Sequence, residues 1–224
     1  MAVQILLTDA ELLGCLWHLS NAFVKKAKSL GLMRYRRALP NLMMYVHKAC
    51  AIALLPQRLF KRGLRVIKQE AYRDDILIAR LLEPFFEYVD EKWLSNPRRK
   101  EWMSLYRKKF RTNNACESHN RQLRQKVGAY RPNIFVFIQA MGVLENNASL
   151  DLELLRPGGN PRRTRKWRSV WTDVQLKNLS RDLLNNDFHD RNATVLNFVT
   201  RAAQLFQGAF DAHVARAVGR RERD

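Results

Sequence analysis

The sequence has few cysteines, few acidic residues and no long apolar run. Its three cysteines, Cys15, Cys50 and Cys116, are too few for a disulfide framework, so we expect a reducing, intracellular compartment. No apolar stretch reaches the roughly 20 residues that a membrane span needs. The apolar start carries Asp9 and Glu11 and lacks a basic segment before it. We therefore expect neither a membrane span nor a signal peptide.

The shortage of acidic residues leaves a large positive charge. Lys and Arg number 40 against 21 Asp and Glu, which gives a net charge of +19. An excess of this size favours a polyanionic partner, with nucleic acid ahead of an anionic membrane surface. The hydrophobic content of 46% and the five tryptophans indicate a folded chain, and 224 residues suffice for one large or two small domains.

Apolar residues recur at helical spacing along most of the chain, which predicts a mainly α fold. Helices are expected near residues 22–30, 40–55, 57–71, 74–83, 113–127, 132–144, 173–184 and 193–214. The apolar run Glu11–Leu19 is interpreted as a buried strand, although periodicity alone does not separate it from a helix. Gly, Pro and Arg dominate Arg156–Arg168, which predicts an exposed basic linker.

Two segments carry longer patterns. Gly14–Leu32 reads GCLWHLSNAFVKKAKSLGL: a Gly-Cys-x-aromatic-His pattern, an amphipathic helix and Gly-Leu. Arg111–Met141 begins RTNNACESHNRQLR and continues with Pro-Asn and an aromatic-rich helix. In this order and spacing the segments resemble the C-terminal part of a Mutator-like (MULE-type) DDE transposase. Leu39–Pro56 and Phe85–Trp102 resemble the helical insertion of that family.

The resemblance implies a partial ribonuclease-H-like core, with one or two N-terminal strands, inside a mainly α chain. Residues 1–32 would form the end of that core and 33–110 the helical insertion. Residues 111–150 would hold the helix of the catalytic Glu and the following core helix, and 151–224 a basic linker and C-terminal helices. The family also implies a nuclear protein that binds DNA and contacts full-length transposase or a second copy of itself.

Glu117 matches the family's catalytic Glu. In the family two Asp and one Glu hold divalent metal, usually Mg²⁺, for DNA strand cleavage and joining. On the predicted helix Glu117 shares a face with Asn120, Arg121 and Arg124, so basic groups would meet DNA phosphates beside the metal. The alternative is an ordinary first-turn acid that complements the helix dipole. The motif positions beside the active site are Cys15, His18, Asn113, Asn114, His119 and Asn120.

The family's two Asp lie upstream of the Gly14–His18 segment, where this sequence has only Asp9. We interpret Asp9 as a loop residue rather than a catalytic one. One carboxylate does not hold Mg²⁺ in octahedral geometry, so we expect an incomplete Mg²⁺ site and no DNA cleavage by this polypeptide alone. The resemblance thus implies a fragment or decayed copy of a DDE-type transposase. The alternative function is a domesticated, non-catalytic DNA-binding or transposase-partner module. A ribosomal or other RNA-binding protein would fit the charge, but not the order of the motifs.

Two further patterns bear on ligands. Cys15 and His18 have the same spacing as Cys116 and His119, and four such ligands suit tetrahedral Zn²⁺. The gap between the pairs is far longer than in zinc fingers, so we do not expect zinc. The basic run at 161–168 offers DNA contacts, with Trp167 able to stack on an unpaired base; its basic residues are Arg162, Arg163, Arg165, Lys166 and Arg168. The alternative is a solvated loop or a nuclear import signal.

Overall fold

A computed structural model of the chain describes residues 11–128, 131–159, 166–185 and 191–219, and within these ranges it contains helices and no strand. The mainly α prediction is confirmed. The helices are α1 (Leu16–Ser29), α2 (Leu42–Ala51), α3 (Phe60–Asp74), α4 (Ile76–Val89), α5 (Pro97–Met103), α6 (Asn114–Val127), α7 (Ile134–Leu155), α8 (Trp167–Asn185), α9 (Arg191–Leu205) and α10 (Gln207–Gly219). Short 3-10 turns lie at Leu32–Tyr35, Ile52–Leu54 and Gln57–Leu59, and a π turn at Asp90–Leu94.

The chain divides into two compact units. Unit 1 is drawn from residues 1–112 and 171–224, and unit 2 from residues 113–170. The chain thus leaves unit 1 after Thr112 and returns to it at Trp171. The guanidinium of Arg111 pairs with the carboxylate of Asp173 where the chain leaves and returns, and both side chains are mostly buried.

Unit 1 is a helical bundle with one continuous apolar core. Helix α9 packs on α2 and α3, α4 packs on α3, and α10 packs on α1. Phe23 of α1 lies at the centre of an aromatic cluster, edge-on to Phe85 at 5.8 Å and to Trp93 at 5.5 Å between ring centroids. Such edge-to-face pairs each add about 0.5–1.5 kcal/mol beyond the burial of their area.

The strand predicted over Glu11–Leu19 is wrong, because α1 begins at Leu16 and the residues before it are irregular. Leu16, Leu19, Phe23 and Ala27 are all buried at helical spacing. The helical period therefore includes the last four residues of the apolar run. Four residues are about one helical turn, which is too short for their periodicity to separate a helix from a strand. The one or two strands of a ribonuclease-H-like core have no support in the described residues.

Helix α4 runs through Pro84, where the sequence pattern predicted an interruption. Pro84 is exposed, and the residue whose carbonyl loses its helical partner is Arg80, four positions earlier. Because Arg80 is also exposed, water can satisfy that carbonyl. The cost of the proline is therefore small enough for Phe85, Phe86 and the residues beyond to stay on the core side of one helix.

Unit 2 is built on the pair α6 and α7. Helix α7 begins where predicted, since the Asn133 side chain accepts a hydrogen bond from the Val136 N–H at 2.9 Å. Of its 22 residues only Ala140 and Leu144 are buried, and Phe135 is 78% exposed. A helix with an apolar, uncharged first half is usually buried on several sides, so α7 presents an unusually apolar surface.

Candidate nucleic-acid interface

Helix α6, which carries Glu117, is confirmed with the predicted bounds. Asn113 stands at its N-cap position and the Asn113 carbonyl accepts the Glu117 N–H at 3.0 Å. The Asn113 side chain makes no capping hydrogen bond. The helix ends at Gly128, which is left-handed with φ of 67°. Glu117 lies in the first turn, as the helix-dipole alternative also requires.

The face predicted around Glu117 is open to solvent. Glu117, Asn120, Arg121 and Arg124 are all exposed, and none of the residues of α6 is buried. With spacings of three, four and seven residues, these side chains follow one another along the helix surface. The geometry thus places a carboxylate and two guanidinium groups where a phosphate backbone can reach them. His119, Asn114 and Cys116 are also exposed on α6.

The first motif segment lies in unit 1, against the chain that leads into the second motif. The Gly14 N–H donates to the Trp102 carbonyl at 2.7 Å and the Leu16 N–H to the Arg111 carbonyl at 2.8 Å. A Cβ on Gly14 would lie 2.4 Å from the Trp102 oxygen, so this approach requires glycine. The structure therefore joins the start of the Gly14–Leu32 motif to Arg111, the first residue of the other motif.

Cys15 and His18 occupy the beginning of α1. Cys15 is half-buried at the N-cap position, and His18 is exposed in the first turn. Between them, the Trp17 ring packs at a tilt of 44° on the His213 ring of α10, with 3.7 Å between ring centroids. The guanidinium carbon of Arg216 lies 5.1 Å from the centroid of the Trp17 ring. The aromatic position of this motif thus fixes α10 against α1, which is a packing role.

Metal-ligating side chains do not gather in the part of the chain that the structure describes, where no group of three or more His, Cys, Asp and Glu could hold an ion. The other described acids of unit 2 are Glu145, Asp151 and Glu153, all on α7. Glu117 is thus the one acid described on α6.

The basic linker is described only at its edges. Arg162, Arg163 and Arg165 lie outside the described residues. Lys166 is exposed immediately before α8, and Arg168 is exposed in its first turn. Trp167 opens α8 with 77% of its surface exposed, so its ring is accessible for stacking.

Unit 1 contains a polar cleft that the sequence patterns did not predict. Lys48 is buried and ion-paired with Glu70, and the Tyr45 hydroxyl donates to Asp74 Oδ2 at 3.0 Å. Burial and that hydrogen bond raise the pKa of Tyr45 well above its usual range. Asn41 also donates to Asp74 Oδ2, at 3.4 Å. The partners lie 22 to 33 residues apart in sequence, and no local motif signals such a pairing.

No protein-family model, curated protein or solved structure matches the chain. The resemblance to Mutator-like transposases therefore stays a prediction that rests on the Gly14–Leu32 and Arg111–Met141 segments. None of the described helices is both long enough and apolar enough to cross a membrane.

Proposed function

We propose that the chain is a DNA-binding protein of Mutator-like transposase ancestry, with α6 as a DNA-facing helix. The observation that carries the proposal is the open face of α6, where Arg121 and Arg124 flank Glu117 on a helix without buried residues. A structural helix of a packed domain would bury one stripe of its surface. A net charge of +19 supplies the long-range attraction to DNA.

The proposal for Glu117 is an inherited metal position that is incomplete in this polypeptide. Glu117 offers one carboxylate, and Mg²⁺ requires near-octahedral oxygen coordination with support from further carboxylates or phosphates. The exposed amides and the imidazole of its neighbours, Asn114, Asn120 and His119, are poor replacements for two carboxylates. We therefore derive no step of strand cleavage through this site, and the proposed activity of the 224-residue chain is binding.

Protein partners are the second part of the proposal. The exposed apolar surface of α7 supports a protein partner, either full-length transposase or a second copy, because contiguous apolar patches of this kind mark interaction sites. A nuclear location follows from the proposed DNA partner.

DNA binding is tested by fluorescence anisotropy with a labelled random-sequence duplex at 50–200 mM salt. We expect saturable binding that weakens steeply with salt, since each phosphate contact contributes about 0.9 to the slope of log Kobs against log salt. The double variant Arg121→Gln/Arg124→Gln should lose about 2 units of slope. The matched control Arg80→Gln/Arg201→Gln removes two exposed charges from unit 1, and it should lose less. Equal slopes in the two variants would overturn the assignment of α6.

The metal proposal has a separate test. Purified chain with Mg²⁺ or Mn²⁺ is expected to leave supercoiled plasmid intact, whereas Glu117→Gln should bind DNA somewhat more tightly because a negative charge beside the phosphates is lost. Cleavage by the unaltered chain that Glu117→Gln abolishes would refute the incomplete site. Binding of single-stranded RNA at far lower concentration than duplex DNA would favour the RNA-binding alternative.

A further inference from the structure

Unit 1 contains a long stretch of chain without any acidic residue. Between Glu11 and Glu70 there is no Asp or Glu, and the same stretch holds twelve of the 40 basic residues. Here the positive charge is unopposed by neighbours in sequence, and the densest part is Lys25–Arg37, with six basic residues in thirteen.

The structure converts the centre of this stretch into an ordered basic turn. Gly31 ends the α1 segment in the left-handed conformation, with φ of 75°, and the 3-10 turn Leu32–Tyr35 follows directly. Leu32 is buried, and Met33, Tyr35 and Leu39 pack against the core. The apolar residues therefore point inwards and hold the turn in place.

The three arginines of this turn are left on its outer side. Arg34 and Arg37 are exposed and Arg36 is half-buried. The guanidinium of Arg34 lies against Gly31, where a Cβ would come within 2.8 Å of it, and at 5.2 Å from the Tyr35 ring centroid. Among the described residues none of these three groups forms an ion pair. Gly31 and the Tyr35 ring hold the guanidinium of Arg34 in place, and no ion pair within the described ranges neutralises the three charges.

A cleft of about 340 Å³ opens beside the turn. Arg36 and Arg37 line one side of it, and α10 supplies the other side; the remaining lining residues are Pro40, Met43, Asp211, Val214 and Ala215. Asp211 is the one carboxylate in that lining, and its Oδ1 lies 3.9 Å from His47 Nε2. With Arg36 and Arg37 in the same lining and Arg34 on the adjoining turn, this single acid leaves the surface with a net positive charge.

We propose that Arg34, Arg36 and Arg37 form a second DNA-backbone site, on unit 1 and separate in sequence from α6. The proposal rests on the proposed DNA-binding function and adds a surface to it. Three neighbouring guanidinium groups, outnumbering the one acid of the cleft, suit phosphate, because each of them can donate two parallel N–H hydrogen bonds to it. The cleft gives room for a sugar-phosphate unit beside the turn. Contacts of this kind carry affinity and no sequence code.

The test compares the triple variant Arg34→Gln/Arg36→Gln/Arg37→Gln with a matched control, Arg80→Gln/Lys177→Gln/Arg201→Gln. Both remove three positive charges from exposed or half-exposed positions of unit 1. Duplex binding is followed by anisotropy between 50 and 200 mM salt, and urea unfolding confirms that both variants remain folded. If each arginine contacts one phosphate, the slope of log Kobs against log salt should become shallower by about 2.7 in the triple variant. At 0.1 M salt its affinity for duplex DNA should fall by about eightfold for each lost contact.

The outcomes separate this site from the α6 proposal. The second site is supported if the slope of log Kobs against log salt falls more in the Arg34/Arg36/Arg37 variant than in its control. This result does not depend on the outcome for the α6 variant. Equal slopes for that variant and its control overturn the second site and leave α6 standing if Arg121→Gln/Arg124→Gln still weakens binding. Absence of DNA binding by the unaltered chain overturns both. Binding to phosphatidylserine vesicles that depends on the three arginines, without DNA binding, would assign the turn to membranes and overturn the proposal.

Discussion

His47 makes a sharp prediction about acid stability. It lies on α2 and is 2% exposed, and neither ring nitrogen has a hydrogen-bond partner among the described residues. Phe210 packs on the ring at 5.2 Å between centroids. The carboxylate of Asp211 has its Oδ1 3.9 Å from Nε2, and its side chain is 56% exposed. Burial lowers the pKa of His47, and Asp211 opposes the effect only in part.

The sign of the pH dependence follows from this lowered pKa. In the unfolded chain a histidine takes a proton near pH 6.5, whereas His47 in the folded chain resists it to lower pH. Stability is therefore complete above about pH 6.5 and falls below it, at up to about 1.4 kcal/mol per pH unit, until the folded pKa is reached. His213 adds to the fall, because burial and then the positive charge of Arg216 lower its pKa too.

The perturbation is His47→Leu, which fills the site with an apolar side chain that takes no proton. At pH 7.5 we expect a gain of about 1 kcal/mol, since two desolvated ring nitrogens without partners are removed. Below pH 6.5 the difference from the unaltered chain should widen by about 1.4 kcal/mol per pH unit. His119→Gln, which alters an exposed histidine and leaves the His47 site unchanged, is the control.

The assay is urea unfolding followed by tryptophan fluorescence at pH 7.5, 6.5, 5.5 and 5.0. Parallel curves of unfolding free energy against pH for His47→Leu and the unaltered chain would refute the reasoning. So would a loss of more than about 1 kcal/mol at pH 7.5, because it would mean that the imidazole makes a favourable hydrogen bond in solution.

Three further predictions concern unit 1 and the cysteines. Gly14→Ala should lower the free energy of unfolding by about 1–3 kcal/mol, because its Cβ would clash with the Trp102 carbonyl. The control Gly142→Ala lies inside α7, where a Cβ has no neighbour within 4 Å, and it should leave the free energy of unfolding unchanged or raise it by up to about 1 kcal/mol. Both values are measured by urea unfolding, and equal losses would contradict the close approach of Gly14 to Trp102. Glu70→Gln should cost about 1–3 kcal/mol, less than a fully buried pair because Glu70 is 28% exposed, and Glu87→Gln, at an exposed position, should cost less than about 0.5 kcal/mol. With a thiol reagent at pH 8, exposed Cys116 should react first and Cys50 only on unfolding, because burial raises the pKa of its thiol; a fast phase that survives Cys116→Ser would contradict this order.

Local signals in the sequence predicted most of the helices and several of their ends, although the short α5 was missed and α7 runs on to Leu155, beyond the expected end near residue 144. Gly31 and Gly128 end their segments in left-handed conformations, and Asn133 caps α7 through the Val136 N–H. Each of these features depends on one residue and its immediate neighbours. The face of α6 was predictable in the same way, since Glu117, Arg121 and Arg124 are related only by helical spacing. Their chemical roles remain predictions.

Features that depend on distant partners were not predictable. The last predicted helix, near residues 193–214, is in fact α9 and α10 with an interruption at Phe206. The interruption lets His213 reach the Trp17 ring, almost 200 residues earlier in the chain, and no local pattern signals that contact. The ion pair of Lys48 with Glu70 was also unpredictable. A lysine inside an apolar helix looks unfavourable until its distant partner is known.

The excursion of the chain between Thr112 and Trp171 has a consequence for how the molecule can be divided. Because α9 belongs to the same core as α2 and α3, a cut within residues 113–170 would break the chain without separating the halves. Two separately produced fragments, one from each side of the cut, should therefore associate and reconstitute unit 1. The ion pair between Arg111 and Asp173 would then join the two fragments. Unit 1 thus has the topology of a split protein, and the polypeptide between its halves is open to replacement by a tether or a sensor domain.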